Sequence, residues 1–167
     1  RRVLFRSTVE YAAQKAYEKG VKVVLNPAPA CSLPESLFQH LYMITPNRIE
    51  AEMLTGVKIN SKKDVAVAAD VLYRKGVKNI IITLGGEGSF VREGEKTCYI
   101  DACKVVPVDT TAAGDTFNGA VCVGVSEGMS LEQAVLFASK ASSISVTRMG
   151  AQSSIPYRKE LDINNLV

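Results

Sequence analysis

The sequence predicts an α/β fold in which a mainly parallel β-sheet is covered by helices on both faces. The evidence is an alternation: short runs rich in β-branched residues are followed by longer segments whose apolar residues recur at helical spacing. This alternation is typical of βαβ units, which build parallel sheets. Ligands of such sheets bind beyond the carboxyl ends of the strands, so the loops that follow strands are the candidate site loops.

The first part of the chain contains two predicted strands. A helix over residues 8–20 precedes a strand over 21–25, and the run NPAPA at 26–30 excludes regular structure because of its prolines. A second strand over 41–44 stops at Thr45-Pro46. Each of these strands therefore ends in a candidate site loop.

The remaining elements continue the alternation of strands and helices. After Asn47, apolar spacing and glycine stops predict two helices, a strand, a pair of short antiparallel strands around Glu93-Gly94, and two further helices. Their predicted bounds are 47–54, 64–75, 79–84, 89–108, 113–127 and 131–146.

Length, composition and charge limit the classes of protein to which the chain can belong. With 167 residues, 47% hydrophobic and 22% charged, the chain predicts a globular protein with one core. A net charge of +3, evenly spread, argues against a nucleic-acid or membrane surface. Neither an apolar stretch approaching the ~20 residues of a bilayer span nor a secretory signal is present. We therefore expect a small-molecule partner and a cytoplasmic setting.

Cysteine and histidine do not indicate a metal site. The four cysteines form no CxxC pair, so reduced thiols are expected rather than zinc or redox chemistry. His40 is the single histidine, and no partner for a catalytic dyad is visible beside it, which favours a structural or surface role.

The first seven residues do not fit the fold pattern. Residues 1–7 carry three arginines without a turn or capping signal, and they resemble a translated sequencing adapter. We expect them to be a non-native leader, with a basic strand as the alternative. The native chain then runs over 8–167.

The run Ala112-Ala113-Gly114 precedes an apolar-periodic helix. Small residues at this position predict free backbone N–H groups at the positive end of a helix dipole, which is an anion site suited to phosphoryl transfer. Asp115 follows directly and could accept the proton of an attacking hydroxyl. The alternative is that Asp115 is only a first-turn carboxylate that favours the helix N-terminus.

Two further segments are candidate nucleotide sites. Thr83-Leu84-Gly85-Gly86-Glu87-Gly88 follows an apolar strand, and its glycines allow either close backbone approach to a nucleotide or a tight hairpin; a P-loop pattern is absent. Asn47 and Glu50 open a helix, either as a capping box or with Glu50 near a Mg²⁺-phosphate through water.

Together these segments resemble the ribokinase family of carbohydrate kinases. DTTAAGDTFNGA at 109–120 is similar to the C-terminal signature of the family, and four other family motifs occur in the right order. They are NPAPA at 26–30, ITPN..EAE at 44–52, ITLGGEG at 82–88 and VTRMGAQSSIP at 146–156. The resemblance covers residue 8 onward and implies the C-terminal part of a three-layer α/β/α kinase fold. Within the family, the Ala112-Ala113 pair most resembles the ribose-phosphorylating members.

The resemblance also implies roles. Asp115 is the base that deprotonates the primary hydroxyl of D-ribose, and the amides of Ala112 to Asp115 hold the γ-phosphate of ATP. Asn47 and residues 83–88 line the nucleotide, and Glu50 helps to place Mg²⁺. Ser139 takes the adenine-side position, where the family often has His or Asn.

A monovalent cation, usually K⁺, accompanies the anion hole in this family. The positions that match its ligands provide oxygen atoms only, as hard cations prefer; the alternative is that Asp109 and Ser154 simply tie two loops together. The matching residues are Asp109, Thr111, Ser145, Arg148, Gly150 and Ser154.

The sugar site is implied to lie elsewhere. In the family, most sugar contacts and the β-sheet lid, through which full-length enzymes would form a homodimer, precede the part that this chain matches. The 167 residues alone are therefore expected to be nearly inactive. Two alternatives stay open, namely a fructokinase-like or deoxyribokinase-like specificity, and a non-catalytic nucleotide-binding regulator.

Overall fold

The structure of the chain is a computed structural model that describes residues 2–161, with side chains from residue 7 onward. Length and composition predict one core, but the described residues divide into two compact units. The first comprises 2–84 with 90–98, and the second comprises 85–89 with 99–161. The reason is that the apolar residues gather in two places, around the sheet and in a pair of long helices.

A five-stranded sheet, which lies mainly in the first unit, confirms the predicted α/β class. The strands follow one another in chain order across the sheet, and the first three are parallel. The short connections after the third and fourth strands can join only antiparallel neighbours, so the sheet is mixed. The strands are β1 (Val24–Leu25), β2 (Met43–Ile44), β3 (Asn79–Thr83), β4 (Ser89–Glu93) and β5 (Lys96–Ile100).

Strands β1 and β2 are shorter than predicted. The carbonyl of Val23 accepts hydrogen bonds from the N–H groups of both Tyr42 and Met43, at 2.9 and 3.2 Å, so regular pairing begins only after this irregular contact. The predicted strand region 89–108 also ends early, at Ile100. Beyond it Pro107 has no N–H to donate and Val106 is 84% exposed, so this stretch lacks both the hydrogen bonds and the burial of a strand.

Four helices belong to the first unit. They are α1 (Arg2–Glu18), α2 (Glu35–Phe38), α3 (Arg48–Thr55) and α4 (Lys62–Arg74). Helix α1 begins before the predicted residue 8 because residues 2–7 contain no glycine or proline to interrupt it. The alternative of a basic strand at residues 1–7 is therefore wrong for 2–7. Residue 1 lies outside the described residues, and the non-native origin of the leader stays a prediction.

The core of the first unit lies against β3. Ile80, Ile81 and Ile82 have no exposed surface, and both α3 and α4 contact this strand. Helix α4 turns a face of small and branched residues inward, namely Val65, Ala68, Ala69 and Leu72. Burial of apolar surface is the main favourable contribution to folding, so this face helps to stabilise the unit.

The second unit is built on a helical hairpin. Helix α5 (Ala113–Ser126) packs closely against α6 (Leu131–Val146), whose bounds match the prediction. Gly124 permits this approach, because a Cβ there would lie 2.9 Å from the Cβ of Ala134. The described residues also contain three 3₁₀ turns: Gly85–Glu87, Gln152–Ser154 and Arg158–Glu160. None of the helices in the described part of the chain combines the length and apolar character needed to cross a membrane.

Candidate active site

The start of α5 has an unusual backbone. Its N-cap residue, Ala112, has φ 59° and ψ 13°, and it is the only non-glycine residue with positive φ among residues 2–161. A left-handed conformation costs an L-residue about 1–2 kcal/mol. Ala112 also provides no side-chain hydrogen bond to the helix. The chain therefore maintains a strained and uncapped helix start at the predicted anion site.

Two N–H groups at this start are free to bind a ligand. The N–H of Ala113 donates to the carbonyl of Thr110 at 3.2 Å, and that of Thr116 donates to the carbonyl of Ala112 at 2.9 Å. The N–H groups of Gly114 and Asp115 have no hydrogen-bond partner within the described residues. Since both residues are exposed and the helix dipole is positive here, this start can bind an anion.

The side chain of Asp115 is exposed in the first turn of α5. Its carboxylate forms no hydrogen bond or ion pair with the part of the chain that the structure describes. It therefore does not cap the helix through a hydrogen bond. A free, accessible carboxylate beside two free N–H groups is the arrangement that a general base next to an anion site requires.

Asp109 connects two loops of the second unit. One carboxylate oxygen accepts a hydrogen bond from the N–H of Thr111 at 2.9 Å, and the other accepts from the N–H of Gly150 at 2.9 Å. The hydrogen bond with the Thr111 side chain, together with these backbone bonds, lowers the pKa of Asp109 below its ordinary value. Asp109 thus remains charged and ties the loops together, as one of the two interpretations requires.

Ser154 does not share this tie. Its buried hydroxyl donates to the carbonyl of Ala151 at 2.7 Å, within its own 3₁₀ turn. The hydroxyl of Ser145 is also buried and donates to the carbonyl of Ser142 at 2.9 Å. Both hydroxyl oxygens keep lone pairs after donating their protons, so they stay chemically able to face a cation.

The guanidinium group of Arg148 is engaged elsewhere. It forms an ion pair with Glu160, and this hydrogen-bonded contact raises the pKa of Arg148 and lowers that of Glu160. Of the predicted cation ligands, Arg148 can therefore contribute only its backbone carbonyl.

In the first unit, Asn47 and Glu50 form the capping box that one interpretation predicted. The side chain of Asn47 accepts from the N–H of Glu50 at 2.9 Å, and Glu50 Oε2 accepts from the N–H of Asn47 at 2.8 Å. Thr83 pairs with Asn47 in an isolated parallel bridge and donates its N–H to Pro46 at 3.0 Å. Glu50 is 5% exposed and Leu84 is 8% exposed. The contacts of Asn47 and Glu50 are accounted for by helix capping.

Residues 85–88 form a turn. The N–H of Gly88 donates to the carbonyl of Gly85 at 3.0 Å across the 3₁₀ turn Gly85–Glu87. Gly86 lies in the middle of this turn, and a Cβ there would have no described atom within 4 Å apart from its neighbours in the chain. Gly88 has φ 93°, and a Cβ there would lie 2.0 Å from the carbonyl oxygen of Ile100. Tight packing therefore requires glycine at 88, independently of any nucleotide.

Sequence reasoning missed Ser142. Its hydroxyl donates to the carbonyl of Ala113 at 3.1 Å, so α6 contacts the candidate anion site directly. Ser139, the predicted adenine-side residue, lies half-buried on the same helix. The signal that could have found Ser142 is its spacing, because Ser139, Ser142 and Ser145 recur every three residues and so share one helix face.

The described residues contain no group of three or more His, Cys, Asp or Glu side chains that could hold a metal ion. A dedicated carboxylate cage for a divalent cation is thus absent from residues 2–161.

Comparison with models of known protein families gives a match over most of the chain. The model of the pfkB family carbohydrate kinase matches residues 5–158.

Individual proteins give concordant similarities. The chain is 49% identical over 154 residues to the ribokinase of Haemophilus influenzae, covering 92% of this chain and 50% of that protein. It is 35% identical over 150 residues to the deoxyribokinase of Salmonella typhi, covering 89% and 49%. The structure of Arabidopsis thaliana ribokinase complexed with ribose and ATP matches with a TM-score of 0.89 at 32% identity, covering 96% and 52%. The chain therefore spans about half the length of the relatives that it matches.

Proposed function

The chain belongs to the pfkB family of carbohydrate kinases, and from that premise we propose that residues 8–167 are the ATP-side part of an enzyme that phosphorylates D-ribose at O5. The observation that carries the proposal is the open start of α5, where Gly114 and Asp115 present free N–H groups. The similarity to ribokinases supports the choice of ribose.

The proposed chemistry is an in-line phosphoryl transfer. Asp115 accepts the proton of the ribose O5 hydroxyl while O5 forms a bond to the γ-phosphorus and the bond to the β,γ-bridging oxygen breaks, so that ADP leaves with the bond electrons. Within the predicted run from Ala112 to Asp115, the free amides of Gly114 and Asp115 would stabilise the negative charge on the transferred group. Because these donors are already fixed in the helix start, they need no reorganisation during the step.

The remaining nucleotide contacts are proposed from the family pattern. Asn47, Thr83, Leu84 and residues 85–88 would line the nucleotide, and Ser139 would lie toward the adenine. Asn47 also serves as a helix N-cap, and residues 85–87 form a 3₁₀ turn.

Mg²⁺ fits this chain only as an ion that arrives with ATP. It is commonly held by substrate phosphates, water and one or two carboxylates, which agrees with the absence of a three-residue cluster within residues 2–161. Glu50 is the candidate carboxylate, acting through water. Held near Glu50, such an ion would supply neutralisation of the negative charge on the phosphates.

A monovalent cation fits the residues around Asp109. Asp109 supplies one ionised carboxylate and the other matching positions supply neutral oxygens, a combination that suits a singly charged ion better than a doubly charged one. We assign to K⁺ the oxygens of Asp109, Thr111, Ser145, Arg148, Gly150 and Ser154. Its charge would stabilise the loop next to the anion site.

The test of the proposal is a substrate panel. A family-length form, meaning the chain extended to the length of its relatives, would be assayed for ADP formation with D-ribose, 2-deoxy-D-ribose and D-fructose. We expect the highest kcat/KM with D-ribose and ³¹P NMR of the product to show a 5-phosphate. Higher kcat/KM with 2-deoxy-D-ribose would support the alternative that the Salmonella typhi relative suggests.

The same assay tests the cation and the assembly. Replacing K⁺ by tetramethylammonium should lower the rate, and an unchanged rate would remove the K⁺ assignment. We expect the family-length form to be a homodimer, and light scattering can check its molar mass. The expected setting is the cytoplasm. An absence of ADP formation with every sugar, together with retained ATP binding, would favour a non-catalytic regulator.

A further inference from the structure

The peptide unit between Ala113 and Gly114 has a hydrogen-bonded carbonyl group and, within the described residues, an N–H group without a partner. Its carbonyl accepts a hydrogen bond from the hydroxyl of Ser142 at 3.1 Å. Its N–H, which belongs to Gly114, has no partner within the described residues. In a trans peptide the C=O and N–H point in opposite directions, so a bond that fixes the carbonyl also fixes the direction of the N–H.

From this geometry we propose that Ser142 is a positioning residue for the anion site, which it serves by orienting and polarising the Ala113–Gly114 peptide. The inference rests on the proposed function of that site. Donation to a peptide carbonyl draws electron density toward the oxygen and makes the N–H of the same peptide a stronger donor. Ser142 thus acts on the phosphate through Gly114 and does not touch it.

The neighbouring serines of α6 behave differently. Ser143 donates to the carbonyl of Lys140 at 2.8 Å, and Ser145 donates to that of Ser142 at 2.9 Å. Both are local bonds within the helix, the usual behaviour of a mid-helix serine. Ser142 instead reaches across to α5, whose N-cap Ala112 supplies no side-chain hydrogen bond of its own. Ser142 therefore contacts the first turn of α5 through a carbonyl and leaves the N–H groups of that turn available.

Ser142→Ala tests the inference, with Ser143→Ala as a matched control from the same helix. Amide NMR of the 167-residue chain should show the Gly114 proton moved upfield in Ser142→Ala. Its affinity for MgATP, followed through the Gly114 and Asp115 signals, should fall about three- to tenfold, the value of one hydrogen bond. Ser142→Thr keeps a hydroxyl and should restore both readouts, while Ser143→Ala should match the wild type.

The outcomes separate the two proposals. If Ser142→Ala leaves the Gly114 shift and the MgATP affinity equal to those of Ser143→Ala, the positioning role is overturned and the anion site stands. If MgATP moves neither Gly114 nor Asp115 in the wild-type chain, the proposed function is overturned, and the positioning role with it. Unchanged α6 amide shifts away from residue 142 would show that the variant remains folded.

Discussion

Two helix starts in this chain, those of α3 and α5, both lie in family motifs but differ in their hydrogen bonding. At α3, Asn47 and Glu50 satisfy each other's N–H groups through a reciprocal capping box. At α5, Ala112 provides no cap, its φ is positive, and the N–H groups of Gly114 and Asp115 stay open. A closed helix start stabilises the fold, whereas an open one is available to an anion.

The other helices of moderate length follow the α3 pattern. Helix α4 has the box Ser61 with Asp64, and α6 has the box Ser130 with Gln133. Helix α2, which has four residues, also lacks a side-chain cap, so among the helices of eight or more residues whose N-cap is described only α5 departs from this pattern. We infer that the stability lost there is linked to function, and the following variants test that contrast.

The largest effect is expected for Asp115→Asn. Removing the base should lower kcat of the family-length form by about 10²–10⁴-fold, because general-base catalysis contributes that much, while the affinity for ATP changes little. Asp101→Asn is the control, since Asp101 is exposed and lies outside α5. An unaltered kcat for Asp115→Asn would contradict the assignment.

The closed start is tested by Asn47→Ala. Loss of the N-cap should lower the free energy of unfolding by about 1 kcal/mol, because the N–H of Glu50 loses its acceptor. Urea denaturation measures the change. Asn60→Ala, at an exposed position beyond α3, should stay within about 0.5 kcal/mol of the wild type. Equal losses in both variants would mean that the capping box contributes nothing specific.

A substitution at the open start of α5 should raise the free energy of unfolding instead of lowering it. Ala112→Gly removes the left-handed strain and should raise the free energy of unfolding by about 0.5–1 kcal/mol, after allowance for the greater freedom of glycine in the unfolded chain. The neighbouring Ala113→Gly lies inside the helix and should lower it by about 0.5–1 kcal/mol. The prediction fails if urea denaturation shows that both variants change the free energy of unfolding in the same direction.

The smallest effect concerns the pH dependence at Asp109, beside the open start. Folding lowers the pKa of Asp109 through Thr111 and Gly150, so the unfolded chain binds this proton more tightly. The resulting stabilisation is fully present above the unfolded pKa of about 3.9 and is lost as the pH falls through the lower folded pKa. Acid unfolding of Asp109→Asn should therefore be less steep below about pH 4 than that of the Asp101→Asn control. Superimposable acid transitions would contradict the prediction.

The sequence predicted the elements whose signals are local. The bounds of α6 follow from Ser130 and from apolar spacing, and both are properties of neighbouring residues. The lengths of β1 and β2 depend on pairing between distant segments. Because the carbonyl of Val23 accepts from two N–H groups, regular strand pairing begins only after this residue. No propensity rule places alanine in the left-handed region, so the conformation of Ala112 could not be predicted.

The candidate site shows the same division. The motif around Asp115 and the capping box at Asn47 were visible in the sequence because each occupies a few consecutive residues. The bond from Ser142 to Ala113 joins residues 29 positions apart, so it depends on the packing of α6 against α5. Tertiary contacts of this kind are what a single sequence does not reveal.

The central claim is that the open start of α5 binds the γ-phosphate of ATP. The most direct measurement is amide NMR of the 167-residue chain with MgATP and then with MgADP. We predict that MgATP shifts the Gly114 and Asp115 amides, that MgADP shifts them much less, and that the capped amides of Asp64 and Gln133 respond to neither. Unmoved Gly114 and Asp115 signals at saturating MgATP, or equal shifts with both nucleotides, would contradict the claim.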